Sequence, residues 1–191
     1  MRVVAIVQAR MTSSRLPGKV MLPLGDKTVL GHVLTRCKEI AGVTEVCCAI
    51  PIGNEHDILI EETRKYGCTV FRGSEDNVLE RYHDAAKHIK ADVVMRVTSD
   101  CPLISPSVCA QVLDLHLKNG SEYTCNNMPV SWPHGYDCEV FNFSALASTV
   151  SKAESQEDKE HVTPWMRRNL AVANLSNPKG NQYHHRITLD T

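Results

Sequence analysis

The sequence has 191 residues, 42% of them hydrophobic and 23% charged, proportions that are typical of one globular domain and exclude a largely disordered chain. With 21 Lys and Arg residues against 22 Asp and Glu residues, the net charge is −1, so no overall positive field favours nucleic acid or an anionic membrane. No segment approaches the roughly 18 consecutive apolar residues of a membrane span, and the apolar run at 3–7 is too short for a secretion signal. We therefore expect a cytoplasmic protein that has neither nucleic acid nor a membrane as its partner.

Short apolar segments alternate with helical patterns over residues 1–120. Because these segments are rich in β-branched residues and are bounded by polar loops, strands are predicted at 2–7, 45–50, 68–71 and 92–97. The helices between them are predicted to begin at residues that can cap a helix: Thr28, Asn54, Asn77, and Ser105 or Ser107. The alternation predicts an α/β fold of three layers, in which a mostly parallel sheet is covered by helices on both faces.

The pattern becomes less regular after Gly120. A helix is predicted from Ser155 to Asn169, and strands are predicted at 136–143, 171–175 and 183–189. No internal repeat interrupts the chain, so we expect one domain over residues 1–191.

Eight cysteines raise the question of disulfides or a metal site. They lie at positions 37, 47, 48, 68, 101, 109, 125 and 138, with no C-x-x-C pair and no histidine at the spacing of a zinc finger. In a chain without an export signal, this distribution favours reduced and mostly buried thiols.

The loop after the first strand carries the densest polar chemistry. Three cations, three hydroxyl groups and a Pro-Gly bend lie within residues 10–19. Ligands of open α/β sheets bind beyond the carboxyl ends of the strands, and such a loop suits an anion with several oxygens, such as a nucleoside triphosphate. A solvated surface loop is the alternative. A P-loop is excluded because Val20 stands where Ser or Thr holds Mg²⁺ and Ser13 stands in place of the first glycine, and the Rossmann glycine pattern is absent.

The string VQARMTSSRLPGKVMLPL, at 7–24, resembles the signature of the CMP-sugar synthetases, the cytidylyltransferases acting on sialic acid and 3-deoxy-manno-octulosonate. It most resembles the spore-coat polysaccharide biosynthesis branch of that superfamily. The resemblance implies a nucleotide-diphospho-sugar transferase fold, a Rossmann-like α/β arrangement, with CTP as the nucleotide. It also implies that the first loop binds the triphosphate, with Arg15 and Lys19 acting on the charge that develops at the α-phosphate and on pyrophosphate. The residues expected to bind the nucleotide in this loop are Ala9, Arg10, Ser13, Ser14, Arg15 and Lys19.

Asp100 follows the strand at 92–97 and precedes Pro102. A carboxylate held at a strand end can coordinate a hard cation, whereas a helix N-cap is the structural alternative. The resemblance implies Mg²⁺ at this position, because the family places a metal-binding Asp in a G-D-x-P segment; Ser99 replaces that glycine here. It also implies a second ligand at Asp190, which begins the family's D-T-P-E-D segment. The chain stops one residue later, so it is either naturally short or truncated there, and we expect truncation.

A third segment, at 73–82, resembles the segment of the family that approaches the nucleotide. The resemblance places Arg81 at the matching arginine. An ordinary exposed helix arginine is the alternative for this position.

The second substrate is expected to bind residues 121–191. Asp137 and Glu139 are two apart and would share one face of a strand, where they could bind sugar hydroxyls, deprotonate one, or form salt bridges. The W-P-x-G-x-D-x-E-V-F pattern at 132–141 and the E-H-V-T-P segment at 160–164 resemble the spore-coat branch. His134 and His161 complete the acceptor candidates, and His161 has a packing role as its alternative.

The resulting hypothesis is a Mg²⁺-dependent transfer of CMP from CTP to a sugar or sugar acid, with release of pyrophosphate. Residues 1–120 would bind the nucleotide, and residues 121–191 would bind the acceptor and form a homodimer, as relatives do. Two other functions stay open. One is a glycosyltransferase that uses a nucleotide sugar, although Thr98-Ser99-Asp100 lacks the first acid of an Asp-x-Asp motif. The other is a nucleotide-binding protein without catalysis.

Overall fold

The computed structural model of the chain describes residues 1–189, which form a seven-stranded sheet between two layers of helices. The order across the sheet is β5-β4-β1-β6-β8-β7-β9. The pairs β5–β4, β4–β1, β1–β6 and β7–β9 are parallel, and β8 is antiparallel to both of its neighbours. The strands of this sheet are β1 Val3–Gln8, β4 Glu45–Pro51, β5 Thr69–Gly73, β6 Val93–Thr98, β7 Tyr123–Cys125, β8 Glu139–Asn142 and β9 Val172–Asn174.

The central strand β1 is buried on both faces. Its residues 3–7 are at most 2% exposed, and they alternate between two apolar clusters on opposite sides of the sheet. A strand covered on both faces has no solvent side, which explains its unbroken apolar sequence. The prediction of a covered, mostly parallel sheet is therefore confirmed.

Seven helices cover the sheet within the described residues. Thr28, Asn77 and Ser105 accept hydrogen bonds from backbone N–H groups in the first turns of α1, α3 and α4, as predicted. None of the helices in this part of the chain has the length and apolar character needed to cross a membrane. Their bounds are α1 Val29–Lys38, α2 Asp57–Lys65, α3 Val78–Ile89, α4 Pro106–Asn119, α5 Phe143–Lys152, α6 Gln156–His161 and α7 Pro164–Asn169.

The order of the strands places the candidate loops side by side. From β1 the chain continues outward to β4 and β5, whereas β6 lies on the other side of β1. This reversal of direction between β1 and β6 opens a crevice beyond their carboxyl ends. The loop after β1 includes a 3-10 turn at Lys19–Met21 and a small hairpin, β2 Pro23–Leu24 with β3 Lys27–Thr28.

The C-terminal third differs from the predictions. The strand predicted at 136–143 begins only at Glu139, and the chain then enters α5, which was not predicted; β7 was also missed. The helix predicted from 155 to 169 is two helices, because Val162 has φ 70° and Thr163 N–H bonds His161 O across it in a strained γ-turn. The segment at 183–189 forms only an isolated bridge between His134 and Arg186 instead of a strand. The first turn of the helix predicted from Asn54 is a separate 3-10 turn, Asn54–His56.

The fully buried Tyr82 connects α3 to the two strands that carry the candidate loops. Its hydroxyl contacts the carbonyl of Ile6 on β1 at 3.0 Å and that of Val97 on β6 at 3.4 Å. We expect Tyr82→Phe to lower the free energy of unfolding by about 1 kcal/mol, since it removes one buried hydrogen-bond donor without changing the shape of the ring. Urea denaturation measures this change, and an unaltered midpoint would contradict it.

Candidate active site

A cleft of about 430 Å³ opens beyond the carboxyl ends of β1 and β6. It brings together residues from the first loop, the loop before α3, the strand β6 and the helix α6. Most of the predicted site residues line it: Ala9, Arg10, Ser13, Ser14, Arg15, Lys19, Arg81, Asp100 and His161. The first loop and the loop after β6, which are about 80 residues apart in the sequence, therefore face one cavity, as the order of parallel strands predicts.

Lys19 and Asp100 are in direct contact in this cleft. The Lys19 Nζ lies 3.0 Å from the Asp100 Oδ2 and donates a second hydrogen bond, of 2.9 Å, to the carbonyl oxygen of Leu189. Gly18 adopts φ 71°, a conformation that glycine tolerates, and this bend turns Lys19 into the cleft. The Lys19 side chain is only 11% exposed, so its charge needs the carboxylate beside it.

The Asp100 carboxyl is held in its ionised form. Burial would raise its pKa, but a hydrogen bond from Thr98 and the positive charge of Lys19 together lower the pKa below its ordinary value. An ionised carboxylate at a strand end is a suitable ligand for a hard divalent cation. Asp190, the predicted second ligand, lies outside the described residues, although the N–H of Leu189 bonds the carbonyl of Asp100 at 2.8 Å.

Arg81 is a buried cation that lines the same cleft. It is 2% exposed, and its guanidinium donates to the carbonyl of Ser74 in the loop before α3. Burial, together with the positive charge of Arg10, lowers its pKa. The alternative of an exposed helix arginine is therefore wrong.

Several polar residues of the cleft were not predicted from the sequence, and two of them, Gln8 and Arg96, lie on the central strands. Gln8, at the end of β1, and Arg96, on β6, line the cleft beside Thr98. The Oε1 of Gln8 and the Nε atoms of Arg81 and Arg96 are buried without a hydrogen-bond partner among the described residues. Such atoms call for an explanation, and a ligand in the cleft supplies one. The sequence signal that could have identified Arg96 was its position as a charged residue within the otherwise apolar segment of β6.

Glu139 does not offer a free carboxylate to an acceptor. It is 2% exposed and accepts hydrogen bonds from Arg96, from Arg167 Nη2 at 2.6 Å, from Tyr123 Oη at 2.6 Å and from Thr163 Oγ1 at 2.7 Å. Burial would raise its pKa, but the charges of the two arginines and these hydrogen bonds lower it to about 2. The prediction of an acceptor contact at Glu139 is corrected: the salt-bridge alternative describes this residue.

Asp137 and His134 also have structural partners. Asp137 precedes β8, so it does not share a strand face with Glu139; its carboxylate accepts from Gly135 N at 3.0 Å and Asn127 Nδ2 at 3.1 Å. His134 stacks on Tyr183 with ring centroids 5.1 Å apart. Neither is among the described residues that line the cleft, so these two acceptor predictions are not supported by the geometry.

His161 is the acceptor candidate that the fold brings to the cleft. It ends α6 beside the turn at Val162, and Thr163 on the other side of that turn is bonded to Glu139. Because Glu139 also binds Arg96, which lines the cleft, one hydrogen-bond network connects the turn beside His161 with the cleft.

The depressed pKa of Glu139 predicts a pH dependence of stability. Because the folded pKa is about 2 and the ordinary value is 4.5, the stabilisation is complete above about pH 4.5 and is lost as the pH falls towards 2. The shift corresponds to about 3 kcal/mol. We expect the free energy of unfolding of Glu139→Gln to be lower at pH 7 and to decrease less between pH 5 and pH 3 than that of the unmodified chain.

Urea denaturation at several pH values gives the free energy of unfolding of each protein, and its slope against pH is then compared between the two proteins. The exposed Glu61 on α2 provides the control, since Glu61→Gln is expected to keep the slope of the unmodified chain. Equal slopes for Glu139→Gln and the unmodified chain would contradict the assignment.

The chain is similar in sequence to a family of known activity and to individual members of it. Residues 4–189 match the sequence profile of a family described as cytidylyltransferase. The chain is 35% identical to the spore coat polysaccharide biosynthesis protein SpsF of Bacillus subtilis over 198 residues, which cover 97% of this chain and 80% of that protein. The 3-deoxy-manno-octulosonate cytidylyltransferase of Geobacter sulfurreducens is 30% identical over 115 residues, 59% of this chain and 44% of that enzyme.

A solved structure of a cytidylyltransferase from Leptospira borgpetersenii serovar Hardjo-bovis has the same architecture. It superposes with a TM-score of 0.95 at 35% sequence identity and covers 100% of this chain and 82% of that one. The superposition confirms the predicted fold class.

Proposed function

This chain is a member of the cytidylyltransferase family, and we propose that it transfers CMP from CTP to a hydroxyl group of a sugar or sugar acid and releases pyrophosphate. The observation that carries the proposal is the contact between Lys19 and Asp100 in a cleft whose loop wall also holds Arg10 and Arg15. A polyphosphate that is bound together with a divalent cation requires positively charged side chains for its phosphate oxygens and a carboxylate for the metal ion, and both are present here.

The first loop is proposed to hold the phosphates. Arg10, Arg15 and Lys19 line the cleft together with the hydroxyl groups of Ser13 and Ser14. Fixed arginine forks suit phosphate oxygens, and cations already in place neutralise the charge that appears on the departing pyrophosphate. In this scheme Lys19 exchanges part of its contact with Asp100 for a phosphate oxygen. Positioning, rather than a covalent intermediate, supplies most of the rate.

Mg²⁺ is the proposed cofactor, and the residues present fit it. Asp100 is ionised and partly open to the cleft, and it is the kind of oxygen ligand that Mg²⁺ prefers. When bound, the ion would withdraw negative charge from the phosphate oxygens. Asp190 stays a prediction as the second ligand.

The acceptor is proposed to lie between Arg96 and His161. Arg96 and His161 both line the cleft, the first with a guanidinium group and the second with an imidazole. The names of two relatives, one in spore coat polysaccharide biosynthesis and one acting on 3-deoxy-manno-octulosonate, support a sugar or sugar-acid substrate in the synthesis of a surface polysaccharide. A homodimer and a cytoplasmic location stay predictions.

A screen of pyrophosphate release tests the proposed reaction. The four nucleoside triphosphates are offered with Mg²⁺ against a panel of 2-keto-3-deoxy sugar acids and neutral sugars. We expect release with CTP and with at least one acceptor. Turnover only of a nucleotide-sugar donor would indicate the glycosyltransferase, and CTP binding without any release would indicate the non-catalytic alternative.

Substitutions of the central pair test its role. We expect Asp100→Asn and Lys19→Met each to lower the rate of pyrophosphate release at least about 100-fold, the usual effect of removing one electrostatic contact in a transition state. The exposed pair Asp114 and Lys118 on α4, with atoms 3.6 Å apart, supplies the matched controls Asp114→Asn and Lys118→Met, which should leave the rate unchanged. Full activity of Asp100→Asn would refute its role as a metal ligand.

A further inference from the structure

The two ends of the segment between Met11 and Gly18 come together at a backbone hydrogen bond, and we call this point the neck of the first loop. The carbonyl oxygen of Met11 accepts the N–H of Gly18 at 2.8 Å, which closes the loop that contains Ser13, Ser14 and Arg15. The N–H of Met11 donates to Nδ1 of His56 at 3.1 Å. Both polar groups of this one residue are therefore used to fix the loop, one internally and one to another part of the fold.

His56 stands on a rigid support. Its imidazole is fully buried at the end of the 3-10 turn Asn54–His56, just before α2. Arg72 on β5 fixes this turn on both sides, since it donates to the Gly53 carbonyl at 2.6 Å and to the Asp57 carboxylate at 2.7 Å. Because Arg72 belongs to the sheet, the hydrogen bond between Met11 and His56 holds the first loop in a fixed position relative to the sheet.

A second contact joins the same loop to the wall before α3. Thr12, next to Met11, donates its hydroxyl hydrogen to the carboxylate of Glu75, which lines the cleft. The Nε2 of His56 faces this carboxylate at 4.0 Å and that of Glu55 at 3.5 Å. Met11 and Thr12 are thus held by a histidine and a glutamate that lie beside each other.

The arrangement of His56, Glu55 and Glu75 also has the composition of a metal site, with possible ligand atoms within 4.8 Å of one another. The hydrogen bond from Met11 argues against this role. Because Nδ1 accepts an N–H, the proton of a neutral ring resides on Nε2, and a protonated nitrogen has no lone pair for a cation. The ring therefore accepts a hydrogen bond from the loop at Nδ1, whereas its buried Nε2 makes no hydrogen bond among the described residues, although the carboxylates of Glu55 and Glu75 lie 3.5 and 4.0 Å away.

We propose that His56 is a positioning residue of the triphosphate site. It holds the neck of the first loop at Met11, so that the loop donors stand ready for the β- and γ-phosphates before the nucleotide arrives. This role rests on the proposed binding of CTP. It predicts a specific pattern, because a nucleotide that has only the α-phosphate gains little from an ordered loop, whereas the triphosphate gains most.

Calorimetric titration with CTP and with CMP, each in the presence of Mg²⁺, tests the proposal. His56→Leu retains the bulk of the ring but has no acceptor for Met11, and we expect it to weaken CTP binding about tenfold, equivalent to about 1.4 kcal/mol, and CMP binding less than about twofold. His56→Asn places Oδ1 close to the position of Nδ1, so it should restore CTP affinity to within about threefold of the unmodified protein.

His116 on α4 provides a matched control. It is 1% exposed and hydrogen-bonded to Thr124 and Asn142, and it is not among the described residues that line the cleft. His116→Leu should lower the melting temperature without changing the ratio of CTP to CMP affinity. This control separates loss of general stability from loss of loop order.

Limited proteolysis with trypsin gives a readout without nucleotide. Cleavage after Arg15 in the first loop should be faster in His56→Leu than in His56→Asn or in His116→Leu, since only the first variant lacks the acceptor for Met11. Together with the calorimetric pattern, this order of rates supports the role of His56.

Three results would overturn the proposal for His56: unchanged CTP affinity in His56→Leu, equal weakening of CTP and CMP, or no recovery in His56→Asn. An unmodified protein that binds CMP and CTP equally would also overturn it. Failure of the unmodified protein to bind any cytidine nucleotide would instead refute the proposed function on which it rests.

Discussion

The contact between Lys19 and Asp100 is the constraint on which the site depends. The Lys19 side chain is 11% exposed and that of Asp100 is 26% exposed, and burying a charged group is costly unless an opposite charge compensates it. Lys19 belongs to the loop after β1 and Asp100 to the loop after β6, and the parallel pairing of these two strands places both loops at the same edge of the sheet. The central sheet therefore provides both the geometry and the rigidity of the charged pair.

A second buried charge network supports the other end of the cleft. Glu139 neutralises Arg96 and Arg167 and also binds Thr163, so β6, β8 and α7 meet at one carboxylate. Removing one member of such a network would leave a buried charge without compensation, which is why a carboxylate of this kind holds structure rather than exchanging protons. The strained turn at Val162 lies next to Thr163, and the network fixes it in a conformation that a β-branched residue rarely adopts.

Local sequence patterns predicted the first half of the fold well. The caps at Thr28, Asn77 and Ser105 and the apolar run of β1 depend on neighbouring residues, and the carboxyl ends of parallel strands meet by topology alone. The pairing of Glu139 with Arg96 is different, because these residues are 43 positions apart and meet only through the register of β6 and β8. The two-residue spacing of Asp137 and Glu139 was misleading, since it implies a shared face only if both belong to the strand.

Unpaired buried atoms occur on three residues of the cleft, of which the sequence predicted Arg81 but not Gln8 or Arg96. The buried Oε1 of Gln8 and Nε atoms of Arg81 and Arg96 lack partners among the described residues, and each such atom costs about 1–3 kcal/mol. A fold selected only for stability would place apolar side chains at these positions. All three atoms belong to residues that line one cleft, next to a charged pair that is itself only partly exposed. Three other buried atoms without a hydrogen-bond partner among the described residues, His56 Nε2, Thr63 Oγ1 and Arg72 Nε, belong to residues outside this lining. The unpaired atoms of Gln8, Arg81 and Arg96 differ from these because they belong to residues that a polar ligand in the cleft would meet.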